Sequence, residues 1–467
     1  MRANLASSVA VTCAAALALP LSLATPAAAL QPGAPTLSTA VPTVVEPAAP
    51  PVVDPAEREA SPAAAASEAD VAGSTRSLPL EPLGNGRRAI GSAAGAAQGL
   101  ARRDVRPFSL VGVVWDDVQA HLHGTVQVRT RSTGSTDWSA WQNVEIHNDD
   151  HGADPDTAEA AGAVRGATAP LWVGDSDGFE VRVQPDRTEE LAAEAGEPLP
   201  AGLRIELVDP GPEPAADSGP QTRVAYAAPT AHRAPTVEEA AAASVNAHLA
   251  PVGTAAIPAA AAAAKPYIGP RPKIITRKGW GANEKLRKGG FVYTKAVKAA
   301  FVHHSATGNN YTCKQAPSVL RSIYRYHTQS SGWRDFGYNF AVDKCGNIYE
   351  GRAGGVAKPV RGAHTLGFNT NSMGIAVLGT YSSTTPPAAA VNAVAKLTAW
   401  KLGLHGVNPK GKTTLVSAGG KYKKGKKVTF NSIAGHRDGF ATACPGARLY
   451  GKLGTARTTS AKYQGRP

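Results

Sequence analysis

The chain has 467 residues, a length that points to two or three domains, and a formal net charge of +13 at pH 7. That charge is unevenly divided: residues 265–467 hold 33 Lys and Arg against 5 Asp and Glu, whereas residues 1–264 hold 16 against 31. A basic half of this size points to a polyanionic partner. No recognition helix or RNA-binding signature accompanies it, which argues against nucleic acid.

Residues 1–29 read as a secretory signal peptide: Arg2, an apolar run VAVTCAAALALPLSLA, and an exit at Ala27-Ala28-Ala29. A membrane anchor needs a longer and more strongly apolar run, and this one is broken by Pro20. A lipoprotein reading through Cys13 is weaker, because that cysteine lies early in the apolar run. The expected location is therefore secreted or in the cell wall, with no integral membrane span after signal cleavage. Residues 30–104, rich in Ala, Pro, Ser and Glu, read as a disordered stem.

Short β-branched runs such as FSLVGVVWDD and TVQVRTRST make residues 105–210 a small β-sandwich-like domain. Within it, Trp115, Trp138, Trp141 and Trp172 either fill the core, the favoured reading, or form a sugar-stacking platform. Residues 211–268 return to Ala and Pro and read as a linker.

Residues 269–460 alternate strand and helix patterns. AAFVHHS is a buried strand, APSVLRSIYRYHTQ has helical spacing, and YNFAVDKCGNIYEG is a hairpin turning near Cys345-Gly346. NSMGIAVLGTY is a further strand, and AAAVNAVAKLTAWKLGLHG is a helix stopped by glycine. This pattern predicts an α/β domain with a mixed central β-sheet flanked by helices.

Removal of the signal peptide leaves Cys313, Cys345 and Cys444, an odd number for an exported chain. One of them must be reactive, intermolecular or bound to something. His436 and Cys444 lie eight residues apart in GHRDGFATACPG, and His303 ends a predicted strand. Two imidazoles and a thiolate suit a catalytic zinc, which keeps a fourth position for water. Proline after Cys444 suits a first helical position, with Cys444 near the N-cap.

Five segments in order, FVHHSAT (301–307), GWRDFGYNF (332–340), IYEGR (348–352), GAHTLGFNTNSMGIAVLG (362–379) and GHRDGFATACPG (435–446), resemble the peptidoglycan recognition protein and type-2 N-acetylmuramoyl-L-alanine amidase family. The β-rich part before them looks like an accessory domain found ahead of such amidases in actinobacterial sequences. The resemblance implies a secreted Zn2+ enzyme that cuts the amide between N-acetylmuramic acid and L-alanine in peptidoglycan.

Carried onto this chain, the resemblance puts the zinc ligands on His303, His436 and Cys444, with His304 structural on the opposite face of the strand. Tyr338 would assist the attacking water, and Thr442 would donate to the oxyanion. The strand GIAVLG lacks the glutamate of another branch of the family, which favours tyrosine assistance. His364, Asn369, Arg352 and Trp333 match positions lining the substrate groove. Cys313 and Cys345 remain for a disulfide, favoured by export.

Peptidoglycan is the expected partner, with anionic wall polymers held by the basic domain. The rival readings are a module that binds peptidoglycan without cutting it, against which retention of Cys444 argues, and a peptidase that cuts within the stem peptide.

Overall fold

The alternation that marks strands in the sequence also sets which side chains meet. Over Gly124–Ser132, Val126, Val128 and Thr130 turn inward while their neighbours face outward. The structure, a computed structural model of the chain, describes residues 72–83, 97–146, 151–186, 198–213 and 267–467. The expected signal peptide lies outside the described residues, as do nearly all of the expected linker and most of the expected stem.

The N-terminal strands are β1 (Ser74–Pro79), β2 (Glu81–Pro82), β3 (Gln98–Trp115), β4 (Gly124–Ser132), β5 (Gln142–Val144), β6 (Gly166–Ala167), β7 (Leu171–Pro185) and β8 (Arg204–Asp209). They form one sheet of order β1-β8-β3-β7-β4-β5, with β2 and β6 paired to β3. Irregularities in the β3–β7 register, between Leu100 and Leu110, bend these long strands. Phe108, Val113, Trp115, Val126, Phe179 and Ile205 fill the core.

At its described residues the expected stem of 30–104 does not hold. Ser74–Pro79 pairs antiparallel with β8, and Gln98–Asp104 is the first part of β3. Composition hid these strands because their order comes from backbone pairing to β7 and β8, and they carry little apolar surface of their own.

The tryptophans divide. Trp115 and Trp172 are buried. Trp138 is instead flanked by Arg102 and Arg131, and Trp141 by Arg129 and Arg182, at 4.2–5.9 Å from guanidinium to ring centre.

The C-terminal sheet contains β9 (Ile274–Ile275), β10 (Ala299–His304), β11 (Phe340–Val342), β12 (Ile348–Glu350), β13 (Ser372–Val377) and β16 (Ile433–Gly435), in the order β16-β10-β13-β11-β12-β9. A separate hairpin joins β14 (Lys412–Val416) and β15 (Lys427–Asn431). The central β10, β11, β13 and β16 run parallel, and β11 and β12 form the antiparallel hairpin expected from the sequence. Helices Ala316–Arg325, Ala388–Gly403 and Leu453–Tyr463 flank this mixed sheet, giving the predicted α/β architecture. A Cys313–Cys345 disulfide ties the start of the first helix to the hairpin turn.

The described residues form one compact unit, in which the two sheets share a buried apolar cluster. Leu110, Val114, Trp172 and Val208 from the N-terminal sheet join Val319, Leu320, Ile323 and Tyr324 from helix Ala316–Arg325. That helix runs into a π-helical turn at Tyr326–Ser330. There the Tyr326 hydroxyl donates to Thr168 O (3.0 Å), and its ring lies where any side chain at Gly112 would collide with it.

Candidate metal centre

β10 ends in two histidines whose side chains leave opposite faces. His304 Nε2 lies 3.3 Å from Glu145 Oε1, and its Nδ1 accepts from the Tyr381 amide. This fits the expected structural role. His303 projects instead toward the segment after β16. His436 begins the short helix His436–Gly439, and its ring centre is 4.4 Å from that of His303.

Cys444, which takes no part in a disulfide, places Sγ 3.8 Å from His303 Nδ1. Its expected N-cap position is not found. Pro445 follows in a cis peptide, the N-cap of the next helix is Gly446, and that helix starts at Ala447.

A further imidazole arrives from the N-terminal sheet. His151, in the segment between β5 and β6, lies 4.5 Å from His436 and 5.2 Å from His303 between ring centres. His151, His303, His436 and Cys444 each offer one ligand atom, all within 4.8 Å of one another. Zinc bonds of about 2.0–2.3 Å set tetrahedral ligand separations of roughly 3.3–3.8 Å. The sulfur–nitrogen pair already fits, and a donor set of three imidazoles and a thiol suits zinc.

Burial pushes the His303 imidazole well below its usual pKa, and the neighbouring His436 and His151 push it the same way. Its lone pair is thus available to a metal. Thr365 Oγ1 lies 3.5 Å from His303 Nε2 and 3.0 Å from His364 Nδ1, bridging the two rings from behind. Tyr338 is buried with its ring 5.2 Å from His303 and 5.6 Å from His151. Thr442 Oγ1 accepts from the Cys444 amide at 3.1 Å.

The four expected groove residues are not open to solvent. His364 is fully buried, its amide donating to Asn369 Oδ1 and its Nε2 lying near Ser372 Oγ. Asn369 Nδ2 donates to Asp154 Oδ1 (2.7 Å) and to Gly152 O (2.9 Å). Arg352 forms a two-pronged pair with Glu159 at 2.7 and 2.8 Å. Trp333 stacks on His327 at 4.4 Å and is also buried.

Asp154 and Glu159 belong to the same segment as His151, so one stretch of the N-terminal sheet domain covers the groove. Sequence reading missed all three residues, since no motif spacing links them to the candidate ligands His303, His436 and Cys444. The available signal was the length of the β5–β6 connection, long for a small sheet domain.

Two family models match the chain. Residues 56–217 match "Rv3811 N-terminal galactose-binding domain-like", and residues 293–447 match "N-acetylmuramoyl-L-alanine amidase". Peptidoglycan-recognition protein SC2 of Drosophila melanogaster is 31% identical over 184 residues, covering 39% of this chain and 85% of that protein. The chain belongs to the peptidoglycan recognition protein and N-acetylmuramoyl-L-alanine amidase family.

A human N-acetylmuramoyl-L-alanine amidase is 33% identical to this family member over 148 residues, covering 32% of this chain and 22% of that protein. Among solved structures, Drosophila PGRP-LB is similar at 25% identity over 39% of this chain and 93% of that one, with a TM-score of 0.31. Peptidoglycan recognition protein-LE, solved in complex with tracheal cytotoxin, is similar at 29% identity over 39% and 92%, with the same TM-score.

Proposed function

We propose that the chain is an exported zinc-dependent amidase that hydrolyses the bond between the lactyl group of N-acetylmuramic acid and the L-alanine of peptidoglycan. The observation that carries this reading is the meeting of His303, His436 and Cys444 at one point, with Tyr338 against them. Bound zinc would supply a Lewis acid that polarises the scissile carbonyl and activates water.

The protein groups divide the remaining work. His303, His436 and Cys444 would hold the ion, and Thr365 fixes the His303 ring from behind. The Tyr338 phenol orients the attacking water and passes a proton toward the leaving amine. Thr442 accepts the Cys444 amide with a lone pair, which leaves its own O–H to donate to the developing oxyanion.

The signal-like N-terminus and the Cys313–Cys345 disulfide support an extracellular, oxidising location. Exposed Lys423, Lys424, Lys426 and Lys427, around the β14–β15 turn, would attract anionic wall polymers.

Digestion of purified peptidoglycan, followed by product mass analysis, tests the reading. The wild type should free the amino group of L-alanine and leave intact glycan, while Cys444→Ala and chelator treatment should each abolish cleavage. Cleavage by Cys444→Ala at the wild-type rate would remove zinc from the mechanism. Cuts confined to the stem peptide would make the protein a peptidase, and binding without cuts a recognition module.

A further inference from the structure

Hydrolytic zinc sites keep a coordination position for water, whereas structural sites are closed by a fourth protein ligand. In this fold the fourth donor is present. His151 joins His303, His436 and Cys444 within 4.8 Å, and it comes from the N-terminal sheet domain rather than from the five amidase motifs. Resting on the amidase reading of the site, we propose that His151 is a fourth protein ligand to the zinc, and that loop 151–165 holds the enzyme latent until it is displaced.

The loop is seated on the groove as well as on the metal centre. Asp154, 3% exposed, accepts from the Gly367 and Asn369 amides and from Asn369 Nδ2. Glu159, 7% exposed, holds Arg352 and also accepts from the Arg334 amide at 3.4 Å. The Arg165 amide donates to Ser331 O at 3.1 Å. Gly332, at φ +78°, lies so close to Ala163 O that a Cβ there would sit 2.1 Å from it. Substrate reaching Trp333, Arg352 and Asn369 must therefore move this loop.

The anchors are suited to release. They are hydrogen bonds and two ion pairs, Glu159 with Arg352 and Asp156 with Lys424, and the partners regain water when the loop lifts. The sheet that carries the loop is held separately, by the apolar cluster shared with helix Ala316–Arg325. The loop can thus leave while its domain stays docked, and tethering makes its return intramolecular. A cavity of about 380 Å³ lies between His151, Pro155 and Val164 on the loop and Trp333, Leu366 and Phe440 opposite, giving a ligand a place to enter beside the closed centre.

Zinc K-edge X-ray absorption on the zinc-loaded full chain reads the ligand set without relying on activity. The wild type should show three imidazoles and one sulfur; His151→Ala should show two imidazoles, one sulfur and added oxygen. Glu159→Ala, which leaves the metal ligands intact and strands the Arg352 charge under the loop, serves as the second release variant. Both variants should hydrolyse purified peptidoglycan at least about tenfold faster than the wild type.

Two imidazoles in the wild type, unchanged in His151→Ala, would overturn the proposal, as would equal hydrolysis by all three proteins. Three imidazoles in the wild type with no hydrolysis by any of them would support His151 as a ligand and reject the amidase reading instead.

Discussion

His303 shows how one side chain is prepared for metal chemistry by its surroundings. Its Nδ1 faces the Cys444 sulfur at 3.8 Å, while Nε2 is directed to the Thr365 hydroxyl. Burial first, and adjacent imidazoles second, keep the ring neutral well below the usual histidine range. Tyr338 beside it offers a separable test, because a phenol that handles a proton differs from a ligand that holds the ion. Tyr338→Phe should lower kcat on a soluble muramyl peptide by about 10²-fold while bound zinc per chain stays at the wild-type value. Zinc loss parallel to the loss of rate would instead make Tyr338 a structural support of the site. His303, His436 and Cys444 could be singled out as candidate donors from the sequence because each lies in a short ordered motif. Thr365 could not, since a hydroxyl at the fourth position of GAHTLG has no chemical signature until its neighbours are known.

Helix Ala388–Gly403 illustrates the same limit at the scale of an element. Its periodicity and terminal glycine marked it in the sequence, but the environment of Lys401 came only with packing. Lys401 is 2% exposed, and its ammonium donates to Val356 O and Lys358 O at 2.7 Å each, with burial lowering its pKa to about 7. A folded-state value below the unfolded one means that the unfolded chain binds the extra proton between about pH 7 and 10.5, so this group's contribution to stability grows as pH rises through that window. The slope approaches about 1.4 kcal/mol per pH unit well inside the window. Urea midpoints at pH 7.5 and about 9.5 should therefore show the wild type gaining about 2–3 kcal/mol relative to Lys401→Met. Parallel behaviour of the two proteins would mean that the ammonium remains charged in its carbonyl cage. The strands at Ser74–Pro79 and Gln98–Asp104, expected as stem, failed to register in the sequence for a related reason: their stability lies in pairing to distant β7 and β8.

For the whole molecule, charge and assembly act together. The acidic–basic division of the sequence persists in the folded protein as exposed lysines around the β14–β15 turn, and Lys424 reaches back to Asp156 of the covering loop at 2.5 Å. Exposed charges are screened within about 8 Å at physiological ionic strength. Raising salt should therefore weaken binding to intact cell wall several-fold, while turnover of a small soluble fragment changes little. Equal losses of the two with salt would exclude electrostatic capture. Among the described residues no helix is long and apolar enough to cross a membrane.

What the sequence by itself determined was the α/β domain and the family, and it singled out His303, His436 and Cys444 as candidate donors, because these reside in contiguous segments whose patterns survive without knowledge of the fold. The tertiary structure alone decided that His151 joins them and that Asp154 and Glu159 cover Asn369 and Arg352. Those contacts span roughly 150 to 290 residues of chain and depend on how the N-terminal sheet packs against helix Ala316–Arg325. Docking between two surfaces is fixed by complementary shape and burial summed over both, and no local residue pattern encodes that sum.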